Sequence, residues 1–70
     1  MDKAYIINLK FGITRRQIWF SAEDNKETEQ KWCDAYKTLD IVGDACTEPQ
    51  EFYEKAIAHY NSYGFTRIAK

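Results

Sequence analysis

The sequence predicts a small two-layer α+β domain with the element order β-β-α-α-β. Three observations predict it: apolar residues with period two on either side of an early glycine, two later segments with apolar residues at helical spacing behind capping signals, and a short β-compatible tail after the second of them. Seventy residues suit one domain spanning 1–70, and a chain this short hides only about 60% of its unfolded surface on folding. A content of 44% hydrophobic and 16% aromatic residues belongs to a chain that folds.

Lys3 to Ser21 reads as a hairpin. Tyr5, Ile7, Leu9 and Phe11 alternate with polar neighbours, and Ile18 to Phe20 follows after Gly12. A two-residue type II′ loop wants glycine at its first central position, so Gly12-Ile13 sets Phe11 opposite Thr14. The other pairs follow: Leu9 with Arg16, Ile7 with Ile18, Tyr5 with Phe20. Tyr5, Ile7, Leu9, Phe11, Ile18 and Phe20 then share the core face, while Ala4/Ser21, Ile6/Trp19, Asn8/Gln17 and Lys10/Arg15 share the other. A one-residue slip would scramble both sets.

Ser21 to Asn25 is rich in capping residues, with Ser21/Asp24 or Asp24/Glu27 as a capping box. Thr28, Trp32, Tyr36 and Leu39, with Ala35 beside them, form the apolar stripe of the helix that follows. Lys37 near its end and Glu23, Asp24 and Glu27 near its start suit the helix dipole. Asp40 to Cys46 reads as a connector, since Gly43-Asp44 is a turn signal. Thr47, with Pro49 in the first turn and Gln50 completing a Thr-x-x-Gln box, starts the second helix. Phe52, Tyr53, Ala56, Ile57, Tyr60 and Tyr63 form its apolar side. Gly64 suits the left-handed position past its end, which returns Phe65 toward Tyr60. Phe65 to Ala69 supplies a third strand that joins the hairpin.

Charge is uneven along the chain. The net charge of −1 gives no general pull toward a polyanion, but residues 21–54 set three lysines against ten carboxylates, a local −7, between basic ends. Cys33 and Cys46 are too few for a secreted disulfide framework. No apolar run resembles a signal peptide or membrane span, so a cytoplasmic protein without membrane contact is expected.

Catalytic patterns are weak. His59 is the only histidine, and nothing around Cys33 or Cys46 resembles a nucleophile signature. These three residues also lack the close spacing of zinc ligands, and the isolated Gly12, Gly43 and Gly64 make no phosphate loop. No enzyme activity, cofactor or metal is expected.

Two surface features remain. Ile6 and Trp19, flanked by Asn8 and Gln17, lie on the hairpin face away from the helices and have the apolar centre and polar rim of an interface. Partial cover by the C-terminus, or a homodimer contact, is the plainer account of the same pair. Asp40, Asp44, Glu48, Glu51 and Glu54 follow one another with no cation between them. As a strip they suit a partner protein with a basic surface, including the grooves of nucleic-acid-binding complexes; as isolated charges they are a solvated helix face.

In size, compact α+β layout, acidic strip and lack of catalytic signature, the chain resembles small bacteriophage or mobile-element inhibitors of the anti-CRISPR type. The resemblance implies a non-enzymatic protein that blocks intracellular machinery by stoichiometric occlusion, in the host cytoplasm if phage-encoded. The alternative is a nucleic-acid-binding module using Lys3, Lys10, Arg15, Arg16 and Trp19, which the central −7 opposes.

Overall fold

The computed structural model describes residues 1–68. It contains β1 (Asp2–Phe11), β2 (Thr14–Glu23), α1 (Lys26–Asp44), α2 (Pro49–Ser62) and β3 (Thr66–Ile68). The strands form one antiparallel sheet in the order β1-β2-β3, and the class is α+β. No helix is long and apolar enough to cross a membrane among the described residues.

The hairpin has the register that Gly12 dictates. Gly12 sits at φ 62° while Ile13 stays at negative φ, the pattern of a type II′ turn. Phe11 faces Thr14, Ile7 faces Ile18 and Ile6 faces Trp19. Pairing runs on to Asp2 and Glu23, so Ser21 belongs to a strand and the cap of α1 falls on Asn25. Its Oδ1 accepts the Thr28 N–H at 2.8 Å, satisfying one of the amides that a helix start leaves open.

Both helices cover one face of the sheet and run antiparallel to each other. Tyr5, Ile7, Leu9, Ile18 and Phe20 from the sheet are buried against Ala35 and Leu39 of α1 and Phe52, Tyr53, Ala56 and Tyr60 of α2. Phe11 is half-buried at the rim. Trp32 joins the layers: its ring centroid lies 5.0 Å from Tyr5, 4.6 Å from Tyr60 and 5.0 Å from Phe65. Such offset and edge contacts stabilise by about 0.5–1.5 kcal/mol each beyond area burial. Tyr36, expected on the same stripe, is 61% exposed.

The connector expected over 40–46 is a correction. Asp40 to Asp44 completes α1, and only Ala45 to Glu48 links the helices. Gly43 is a packing residue there, not a turn: an added Cβ would lie 3.2 Å from the Phe52 ring. The longer helix also changes its polarity, since its last turn holds no basic residue and ends on Asp44, an unfavourable charge beside open carbonyls.

At the start of α2, the Thr47/Gln50 box gives way to another arrangement. Glu48 is the N-cap without a side-chain bond, Pro49 occupies the first turn, and the Glu51 carboxylate accepts the Thr47 N–H at 3.1 Å. The helix ends as Gly64 implied. With Gly64 at φ 95°, Phe65 N–H donates to Tyr60 C=O and Gly64 N–H to Asn61 C=O, the paired bonds of a Schellman motif. β3 then pairs with β2, Trp19 opposite Ile68 and Ser21 opposite Thr66. Ala69, expected in this strand, lies outside the described residues.

Candidate protein-docking face

Because side chains alternate across a strand, the buried odd residues of β1 leave Ala4, Ile6, Asn8 and Lys10 on the side away from the helices. Their partners there are Ser21, Trp19, Gln17 and Arg15, and β3 adds Thr66 and Ile68. The face is therefore built of transverse rows. Its middle row is Ile6–Trp19–Ile68, one apolar residue from each strand. Ile6 is 42% exposed, while Trp19 and Ile68 are half-buried.

A hydrogen-bond chain holds this centre. Trp19 Nε1–H donates to Gln17 Oε1 at 3.2 Å, and Gln17 Nε2 donates to Asn8 Oδ1 at 3.1 Å. The indole is thereby oriented along β2 with its polar edge engaged and its ring in the apolar row. Such a side chain contributes contact area with few torsions left to freeze on binding. Beyond the centre, the rows change sign. Lys10 and Arg15 stand at one end of the face, Asp2 and Glu23 at the other.

The structure brings together Ile6, Asn8, Gln17 and Trp19 and adds Ile68. The acidic residues form no single strip with them. Asp40 and Asp44 lie exposed on α1, and Glu48, Glu51 and Glu54 lie at the start and along α2, in the other layer. Asp40 borders a depression that also holds Lys10 and Lys37. Glu51 binds the Thr47 amide and stands 3.9 Å from Lys55. Lys37 and Lys55 stand one helical turn from Asp40 and Glu51, so both ends of the acidic series have a cation on the same helix.

The basic hairpin is divided as well. Lys3 turns to the helix side, where Nζ lies 3.5 Å from Glu29 and 5.3 Å from the Tyr5 ring. Arg16 stacks 5.6 Å from the Tyr53 ring on that same side. Only Lys10 and Arg15 share a face with Trp19.

The catalytic candidates are apart. Cys33 is exposed on α1, and Cys46 is buried where the helices join, its Sγ–H donating to Val42 C=O at 3.2 Å. His59 Nε2 lies 2.9 Å from both Ala35 O and Thr38 Oγ1; since a carbonyl only accepts, Nε2 carries the proton and ties α2 to α1. Among the described residues, no group of three His, Cys, Asp or Glu is placed to hold a metal ion.

Ile68 and the Asp2/Glu23 row escaped the sequence reading, whereas Lys10/Arg15 was placed by it. Locating Ile68 needed the register of β3, which depends on where α2 ends. The Asp2/Glu23 row needed only the hairpin register extended by two residues. Comparison with protein-family models, curated proteins and solved structures finds no match to this chain.

Proposed function

We propose that the protein is a non-enzymatic protein-binding inhibitor or modulator that docks through the outer face of its sheet and acts by occupying a surface of its partner. The observation that carries this reading is the Ile6–Trp19–Ile68 row on the side of the sheet opposite the helices. An apolar centre within a rim of Asn8, Gln17, Ser21 and Thr66 has the anatomy of a protein interface, and tryptophan is prominent among residues that dominate binding energy. A nucleic-acid reading gains little support, since Lys3 and Arg16 lie against the helix layer. The resemblance to phage-borne inhibitors makes host defence complexes the first partners to test.

The test is to titrate a partner, captured from host lysate and purified, into isotope-labelled protein and follow the amide and indole signals. The reading expects the largest shifts at Trp19 Nε1–H and the Ile6, Gln17 and Ile68 amides. Shifts confined to Asp40, Asp44, Glu48 and Glu54 would move the docking surface to the helices.

A further inference from the structure

The outer edge of β1 is open. The Phe11–Thr14 pair closes a two-residue turn and is therefore hydrogen-bonded. Counting back, the odd residues of β1 exchange bonds with β2, and Met1 C=O continues the parity by accepting from Asp24 N–H at 3.0 Å. Asp2, Ala4, Ile6, Asn8 and Lys10 point their backbone N–H and C=O the other way. β1 is the end strand of the sheet, so among the described residues no strand meets these groups.

A ten-residue edge is long for an unprotected one. It contains no proline and no bulge, since the pairing with β2 is continuous from Asp2 to Phe11. Its cations do not blunt it much, because Lys3 is drawn onto Tyr5 and Glu29. The remaining charges, Asp2 and Lys10, stand at opposite ends with Ile6 midway between them.

We infer that a second copy of this chain adds antiparallel along β1, about a two-fold axis at Ile6. Residue i then meets residue 12 − i of the partner: Ile6 meets Ile6, Ala4 meets Asn8, and Asp2 meets Lys10 of the partner subunit. The even residues with open backbone groups pair with one another, as the ladder requires. Core-face residues stay on the core face, with Tyr5 beside Ile7 of the partner subunit. Opposite charges meet twice. A shift by one residue would turn Ile7 to the outer face, and a shift by two in either direction separates Asp2 from Lys10.

The isolated chain leaves those charges poorly placed. Asp2 lies opposite Glu23 and Lys10 opposite Arg15, and like charges directly across a ladder destabilise it. Pairing at β1 gives each an oppositely charged neighbour on its other side. Tyr36 adds to the case: it is 61% exposed on α1 and borders a depression with Asn8, Leu9 and Lys10, above this edge, where the partner's helix layer approaches. The product is a six-stranded sheet with all four helices on one side. This inference stands apart from the docking reading, because it uses the edge of the sheet and leaves its outer face open.

The test combines sedimentation equilibrium with amide hydrogen exchange from about 1 μM to 1 mM protein. Expected are a mass rising toward twice 8.3 kDa and protection of the Ala4, Ile6 and Asn8 amides rising with it. Ile6→Pro removes only an outward N–H, a change edge strands tolerate, and should weaken association at least tenfold. If that variant does not fold, the charges decide: Asp2→Lys and Lys10→Asp should each weaken the dimer, and the double variant should restore it. Trp19→Ala should leave it unchanged. A monomer throughout with unprotected Ala4, Ile6 and Asn8 amides would overturn the inference, as would a dimer lost in Trp19→Ala or a double variant that stays monomeric.

Discussion

Tyr60 and Phe65 meet edge to face, ring centroids 6.2 Å apart, across the turn that ends α2. The same turn is closed by Phe65 N–H donating to Tyr60 C=O at 3.1 Å. Side chain and backbone thus select one exit from the helix, which delivers Ile68 beside Trp19. That exit depends on Gly64 at φ 95°, where an added Cβ would meet nothing within 4 Å. The penalty of a side chain there is conformational alone.

Gly64→Ala is therefore expected to lower the unfolding free energy by about 1–2 kcal/mol, read as an earlier urea midpoint at unchanged slope. An unchanged midpoint would show that this turn does not hold β3 in place.

Gly43 gives a second stability test. With an ideal Cβ only 3.2 Å from Phe52, Gly43→Val should overpack the contact between α1 and α2 and destabilise by about 1–3 kcal/mol. A surface connector at this position would accept valine without loss, so a neutral result contradicts the packing described here.

Alkaline titration tests the aromatic core. Burial pushes the Tyr60 hydroxyl from its ordinary 10.0 up to about 12, with nearby Tyr36 adding to the shift. The folded value is the higher one, so the stability this group contributes is complete below pH 10 and lost as pH rises toward 12. The loss is about 1.4 kcal/mol per pH unit in that window. Tyr60→Phe should match wild type at pH 8 within about 1 kcal/mol, since the hydroxyl has no hydrogen-bond partner among the described residues. It should also fall less steeply between pH 10 and 12. Identical alkaline limbs would mean that Tyr60 is not buried as described.

Much of this architecture is legible in the residues, and the reasons are local. Gly12 selects a turn whose geometry propagates a register through every pair of the hairpin. Gly64 works in the same way at the end of α2. The misreading of Asp40–Cys46 has a tertiary cause: Gly43 looks like a turn residue until Phe52 is seen against it. The surroundings of the acidic residues are tertiary in the same way: Asp40 borders a depression that Lys10 of a distant strand also lines, and Glu51 accepts the backbone N–H of Thr47. The Ile6–Trp19 pair was visible from the hairpin register, whereas its third member waited on the position of β3.

The variants that separate the two surfaces follow from the structure. Glu48 places a negative charge at the N-terminus of α2, where the dipole favours it, and Glu51 accepts the Thr47 N–H in the first turn, so reversing either would disturb the helix as well as the charge. Asp44 and Glu54 are exposed and free of such roles, and a cation at Asp44 would suit the carbonyl end of α1. Asp44→Lys with Glu54→Lys should leave stability within about 1 kcal/mol of wild type by thermal denaturation.

The most direct measurement compares partner affinity of the wild type, of Trp19→Ala, and of the Asp44→Lys/Glu54→Lys double variant under one low-salt condition. Docking through the sheet predicts that Trp19→Ala loses at least 2 kcal/mol, about thirtyfold in Kd, while the double variant changes chiefly in association rate and by less than about tenfold. An unchanged affinity for Trp19→Ala beside a large loss in the double variant would contradict it and place the interface on the helices.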